Sequence, residues 1–194
     1  MNSAITGVIL AGGKSSRMGT DKALLKLDGR PFVAHVASAL QAVFDQVFLV
    51  ANDASTYGFL KLETFGDVYR DCGPLGGIHS ALVHADGGDV FVSACDTPFI
   101  TRDLVKYIVE FQSGASAKIP SLNQQLHPLC GLYTQNCLPM IAKRLESRRL
   151  RVLDFIEEVQ ATVIPISPEL PFYKEDLFSN LNTPEDYSRN TSSP

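Results

Sequence analysis

The chain carries no large excess of charge of either sign: 17 Lys and Arg stand against 21 Asp and Glu, a formal net charge of −4 over 194 residues. Broad binding to nucleic acid or to an anionic membrane calls for a basic excess or stripe, so any contact with phosphate is expected to be local. No apolar run approaches the roughly 18 residues of a membrane span. The first apolar segment is broken by Gly7 and Gly12 and has no basic leader, which makes a cytoplasmic protein the expectation. Cysteines are few, and Cys72, Cys95, Cys130 and Cys137 include no C-x-x-C spacing. Reduced, mostly buried thiols are expected rather than a metal site or disulfides. Also missing are G-x-S-x-G, H-E-x-x-H and any Cys and His spacing that marks a nucleophile with its base.

What is present is 45% apolar and 20% charged residues, enough for one domain with a sizeable core. Residues 1–190 read as that domain and 191–194 as a frayed tail. Short continuous apolar runs at Ile5–Leu10, VFLVAN (47–52) and DVFVSACD (89–96) have the character of strands covered on both faces. Between them, Pro31 opens FVAHVASALQAVF at helical spacing, and Thr101 caps the amphipathic TRDLVKYIVEFQ. Further strands are expected at 117–120, 128–134 and 162–166, with helices from Leu138 and Val152. Strands alternating with helices predict a three-layer α/β domain with a mainly parallel sheet.

In such sheets ligands sit beyond the carboxyl ends of the strands. Four loops there draw interest. LAGGKSSRMGTDKALL (10–25) follows the first strand with two glycines and the cations Arg17 and Lys22, so that Gly12 and Gly13 could bring main-chain N–H groups close to an anion. Neither G-x-x-x-x-G-K-S nor G-x-G-x-x-G fits it, and an ordinary turn with solvated basic residues is the plain alternative. CDTP (95–98) puts Asp96 at the end of the third strand, where it is either a turn cap or a ligand for a hard cation shared with phosphate. DCGPLGG (71–77) is expected as a glycine loop just before a helix. Its Asp71 is suited to the adjacent N–H donors of a guanine edge, although a simple turn explains GPLGG as well. NLNTPEDY (180–187) starts a helix, with Thr183 as cap and Pro184 behind it; Asn180 and Asn182 are left over, and an amide oxygen beside Asp96 could complete a metal site. His127 and the arginines of SRRLR (147–151), Arg149 among them, are either structural or contacts for substrate, the arginines as an anion clamp.

These four segments, in this order and across nearly the whole chain, resemble the molybdenum cofactor guanylyltransferases. The first alone marks the wider family of sugar-nucleotide and cofactor nucleotidyltransferases, and AGG, the Asp21–Lys22 pair and N-x-N-T-P-E-D narrow it to the guanylyl branch. The resemblance implies a Rossmann-like nucleotidyltransferase fold, transfer of GMP from GTP to molybdopterin or Mo-molybdopterin with release of pyrophosphate, and Mg²⁺ as cofactor. It implies that Leu10, Ala11, Gly12 and Gly13 bind nucleotide, Arg17 and Lys22 its phosphates, Asp71 the nucleoside and Asp96 the metal. Asn180 and Asn182 would lie on the molybdopterin side. Alternatives are a molybdopterin cytidylyltransferase, a transferase for another small phosphate, or a non-catalytic module that hands cofactor to molybdoenzymes or their chaperones by transient contact.

Overall fold

Strand β1 (Ile5–Leu10) sends its side chains alternately into two dry cores. Val8 and Leu10 enter one, and Ile9 and, just past the strand, Ala11 enter the other. A strand apolar at successive positions is stable only where both faces are covered, and β1 accordingly lies in the middle of a sheet between two helical layers. The computed structural model describes residues 5–12 and 22–179.

Within them the chain continues through a 3₁₀ turn (Lys22–Leu24), β2 (Lys26–Leu27), β3 (Arg30–Pro31), α1 (Phe32–Gln41), β4 (Val47–Val50), a 3₁₀ segment (Ser55–Leu60) and β5 (Glu63–Phe65). It then forms α2 (Gly73–His84), β6 (Asp89–Ala94), α3 (Arg102–Glu110), β7 (Ala117–Leu122), β8 (Gln125–Leu126), β9 (Cys130–Tyr133), α4 (Cys137–Glu146), α5 (Val152–Glu158) and β10 (Thr162–Ile166). The large sheet has the order β10-β7-β9-β6-β1-β4-β5, with β8 paired to β7, while β2 and β3 form a separate hairpin. Helices α1 and α3 cover the face that holds Ile9; α2, α4 and α5 cover the face that holds Val8. Thr101 caps α3 as its sequence predicts, its Oγ1 accepting from the Leu104 amide at 3.2 Å.

The three layers agree with expectation, and the sheet is mixed but mostly parallel. β5, β4, β1 and β6 run parallel, as do β7 and β10, whereas β9 runs antiparallel between β6 and β7. β9 reverses because it follows the β7–β8 hairpin with no intervening helix, and a parallel return needs a long crossover. Asn123 and Gln124, at φ 50° and 65°, make that hairpin's turn. Three further differences have local causes. Helix α1 ends at Gln41, since the amides of Val43 and Phe44 both turn back to the Leu40 carbonyl. The β2–β3 hairpin was not anticipated; its turn is Asp28-Gly29, a dipeptide suited to two left-handed positions, which they occupy at φ 49° and 77°. GPLGG is no loop: α2 starts at Gly73 and takes in Gly76 and Gly77.

The glycines at that helix start serve close packing. A methyl group on Gly76 would stand 2.9 Å from Cys72 Cβ and 3.1 Å from the Tyr69 carbonyl oxygen, so α2 lies directly on the loop that leads into it. Overpacking costs about 1–3 kcal/mol, and the helical gain from glycine to alanine is about 1 kcal/mol. Gly76→Ala should therefore lower stability by about 1–2 kcal/mol in a urea melt; an unchanged or raised midpoint would contradict this packing.

Candidate active site

Parallel strands deliver their following loops to one edge, and here the register sets those loops side by side. Leu10 is level with Val50 and Ala94, and Val50 with Phe65. The ladder runs one step past the strand ends. The Ala11 amide donates to the Val50 carbonyl at 2.9 Å, Ala51 to Phe65 at 2.8 Å, Cys95 to Leu10 at 3.2 Å and Ala94 to Leu129 at 2.8 Å. Loops after β1, β4, β5 and β6 thus leave the sheet from fixed, adjacent points. Because α4 runs back from the end of β9, its final turn and the stretch 147–151 return to the same edge, beside the start of α2.

Leu10 and Ala11 are buried, and their side chains belong to opposite cores. The ladder already engages the Leu10 carbonyl and the Ala11 amide, so Gly12, exposed and with open space around its Cα, is the first residue beyond the ladder. Asp96 follows β6 half-buried, in a turn held by Thr97, whose hydroxyl donates to the Ala94 carbonyl at 2.9 Å with Ser93 Oγ 3.4 Å away. Lys22 begins the 3₁₀ turn Lys22–Leu24. Asp71 is exposed, at φ 56°, one residue before the N-cap of α2. Val68 and Ser80 tie this loop to α2, the Val68 amide donating to Ser80 Oγ at 2.9 Å, and Tyr69 meets His79 edge-to-face at 4.9 Å. The structure thus brings Leu10, Ala11, Gly12, Asp71 and Asp96 to one edge. Gly13, Arg17, Asn180 and Asn182 lie outside the described residues, as does the tail 191–194.

His127 sits on the loop between β8 and β9, its ring stacked on Phe178 with centroids 4.0 Å apart and planes 12° from parallel. Burial pushes its pKa down to about 4, so the imidazole is neutral near pH 7 and does not act there as an acid. Arg149 pairs with Glu158 at 3.3 Å and Arg151 with Asp154 at 3.3 Å. Both are drawn to α5 around Arg144, which is only 2% exposed and reaches Glu158 at 2.5 Å. Sequence reading gave Arg144 no place, since a buried arginine on an amphipathic helix has no signature until its carboxylate partner is known. Phe178 was missed for a similar reason: its role depends on a ring 51 positions earlier. All four cysteines are free thiols, with Cys72, Cys130 and Cys137 buried, and burial raises the Cys130 and Cys137 pKa values to about 12.

The match to known proteins follows this geometry. Residues 7–161 fit the family described as the MobA-like NTP transferase domain. This chain belongs to that family. As a MobA-like NTP transferase it is a nucleotidyltransferase, and its fold is the Rossmann-like one of that class. It is 34% identical over 187 residues to a probable molybdenum cofactor guanylyltransferase of Carboxydothermus hydrogenoformans, covering 95% of this chain and 94% of the relative. A protein of the same description from Pelotomaculum thermopropionicum is 36% identical over 184 residues, covering 93% and 89%. The crystal structure of molybdopterin-guanine dinucleotide biosynthesis protein A from Archaeoglobus fulgidus superposes with a TM-score of 0.79 at 25% identity, covering 95% of both chains.

Among the described residues no cluster of three or more His, Cys, Asp or Glu could enclose a metal ion, and no helix is long and apolar enough to cross a membrane. One half-buried carboxylate, Asp96, stands two residues past β6, as exposed Gly12 stands two residues past the neighbouring β1, and this arrangement suits a cation of another kind. Mg²⁺ prefers one or two carboxylates and takes its remaining oxygens from phosphate and water, and Asp96 fits that role.

The His127 environment gives a pH test. Its folded pKa lies near 4, below the ordinary 6.5, so between those values the unfolded chain binds more protons and stability rises with pH. As pH falls through this window that stability is lost. An NMR titration should place His127 near 4, and His127→Phe should flatten the slope of stability against pH; titration near 6.5 would contradict the burial of the ring.

Proposed function

We propose that this MobA-like NTP transferase moves GMP from GTP onto molybdopterin, in its molybdenum-loaded form, giving the guanine dinucleotide and pyrophosphate. The observation that carries the proposal is the meeting of the three described motif segments at one sheet edge. Leu10 and Ala94 are level in the register, Asp96 follows two residues later, and Asp71 stands at the start of the helix packed over β1. The names of the two curated relatives and of the Archaeoglobus protein support the substrates.

The chemistry asks little of a general base. The acceptor's terminal phosphate is already anionic. One of its oxygens attacks the α-phosphorus of GTP, the bond from that phosphorus to the bridging oxygen breaks, and pyrophosphate leaves with the electron pair. In-line placement and neutralisation of charge are what the protein must provide. Gly12 and Gly13 bring main-chain N–H groups to the triphosphate, and Arg17 and Lys22 bring positive charge. Asp96 would hold the Mg²⁺, with Asn182 as a second oxygen donor; when bound, the ion neutralises charge that builds on the leaving group. Asp71 accepts from the guanine N–H donors. Asn180 and Asn182 would serve the molybdopterin side, and His127, neutral near pH 7, would be a substrate contact that moves no proton. Arg149, exposed and paired with Glu158 at 3.3 Å, would serve the molybdopterin phosphate from the 147–151 stretch. Residues 1–190 act as one catalytic unit, and the product passes to molybdoenzymes in the cytoplasm by transient contact.

Purified protein given molybdopterin-loaded acceptor and Mg²⁺ should release pyrophosphate with GTP and far less with CTP, ATP or UTP. Release with CTP would make it a cytidylyltransferase on the same scaffold, and GTP binding without any release would make it a delivery module. In a second test, Asp96→Asn should lower kcat by about 100-fold or more while the Kd for GTP changes by only about threefold, since the metal acts chiefly in the transition state. Equal loss of both would remove Asp96 from the chemical step.

A further inference from the structure

The stretch from residue 144 to 151 holds four arginines, and three are ion-paired: Arg144 with Glu158 and Asp154, Arg149 with Glu158, and Arg151 with Asp154. Arg148 has no carboxylate partner among the described residues. It is exposed, at φ 57°, in a turn fixed by its own amide donating to the Leu145 carbonyl at 3.0 Å and that of Arg149 donating to Arg144 at 2.9 Å. From there its guanidinium crosses to α2, where Nη1 lies 3.6 Å from Cys72 Sγ. The neighbour of Cys72 is Asp71, which is exposed and likewise has no ion pair among the described residues. A carboxylate and a guanidinium thus flank one buried thiol at the start of α2 without neutralising each other.

Guanine has the matching edge. N1–H and the N2 amine are adjacent donors, and O6 beside them is an acceptor that arginine reads in many settings. Adenine reverses the arrangement: its N1 lone pair would face the carboxylate and its N6 amine the guanidinium, so both contacts turn repulsive. We propose that Arg148 is a specificity-determining residue that donates to guanine O6 while Asp71 accepts from N1–H and the N2 amine. The inference rests on GTP as substrate and on Asp71 as its base contact. Selection of the base then lies in two charges held apart by the α2 and α4 termini.

Two analogues separate the two contacts in equilibrium binding to the full-length protein. Thio-substitution at position 6 (6-thio-GTP) keeps the N–H donors and replaces O6 by a weakly accepting sulfur; ITP keeps O6 and lacks the N2 amine. Wild-type protein should bind each about tenfold more weakly than GTP, the lower range for one lost base contact. Arg148→Ala should bind GTP about tenfold more weakly, bind 6-thio-GTP as well as GTP, and keep the penalty on ITP. Asp71→Asn should do the reverse. Arg148→Gln, with a similar length and a thermal melt as control, repeats the test if the alanine variant is unstable. A 6-thio penalty that survives both Arg148 variants overturns the proposal and leaves the Cys72 contact as packing. Equal weakening of GTP, CTP and inorganic triphosphate overturns it in favour of a phosphate contact. Wild-type protein that prefers CTP to GTP overturns both this inference and the guanylyl reading beneath it, whereas a GTP preference untouched by Arg148 removes this inference alone.

Discussion

The parallel hydrogen bonding of β1 to β4 on one side and β6 on the other governs the rest of the molecule. It sets Leu10, Val50 and Ala94 level and extends one residue further through Ala11 and Cys95. Chemistry-bearing loops are poorly ordered by themselves, and a buried ladder beneath them is what makes their relative positions reproducible. Slipping β1 by a single residue would exchange Val8 and Leu10 with Ile9 and Ala11 between the two cores. The same interaction that packs the centre of the protein therefore sets the geometry of its edge.

An acidic chain that handles a triphosphate must place its positive charge locally. Much of the arginine on the α4–α5 corner is committed to structure, since Glu158 holds both Arg144 and Arg149 and Asp154 holds Arg151. Burying Arg144 without such partners would be costly, and the pairing gives the turn at 147–151 a fixed shape. The acidic residues at the edge, Asp71 and Asp96, occupy separate helix and strand ends rather than a common cluster. That separation suits two tasks, holding a base and holding a cation, better than a closed metal cage would.

Much of this organisation was legible in the sequence. The apolar runs of β1, β4 and β6 and the cap at Thr101 carry their own local signals, so strands, helices and the shared edge could be drawn before any coordinates. GPLGG misled because proline and glycines mark turns, whereas Gly76 is needed for van der Waals space against Cys72 and Tyr69; only the tertiary contact distinguishes the two. The reversal of β9 was hidden because a four-residue buried strand has no directional mark. Of the site, Asp71 and Asp96 were visible from their positions after strands or before a helix. Arg148 appeared only as part of a basic run, since its isolation from the paired arginines around it depends on Glu158 and Asp154, which the fold brings back from the next helix. The Phe178 contact to His127 was illegible for the same reason, being a pairing of distant residues without a shared motif.

The central claim is that the edge formed by β1 and β6 is the reaction centre. A crystal structure of the protein with the non-cleavable α,β-methylene analogue of GTP and Mn²⁺, whose anomalous signal locates the metal, tests this most directly. The metal is expected on the Asp96 carboxylate, with the triphosphate along Gly12 and the base at the start of α2. A nucleotide bound elsewhere, or a metal without Asp96 among its ligands, would contradict it.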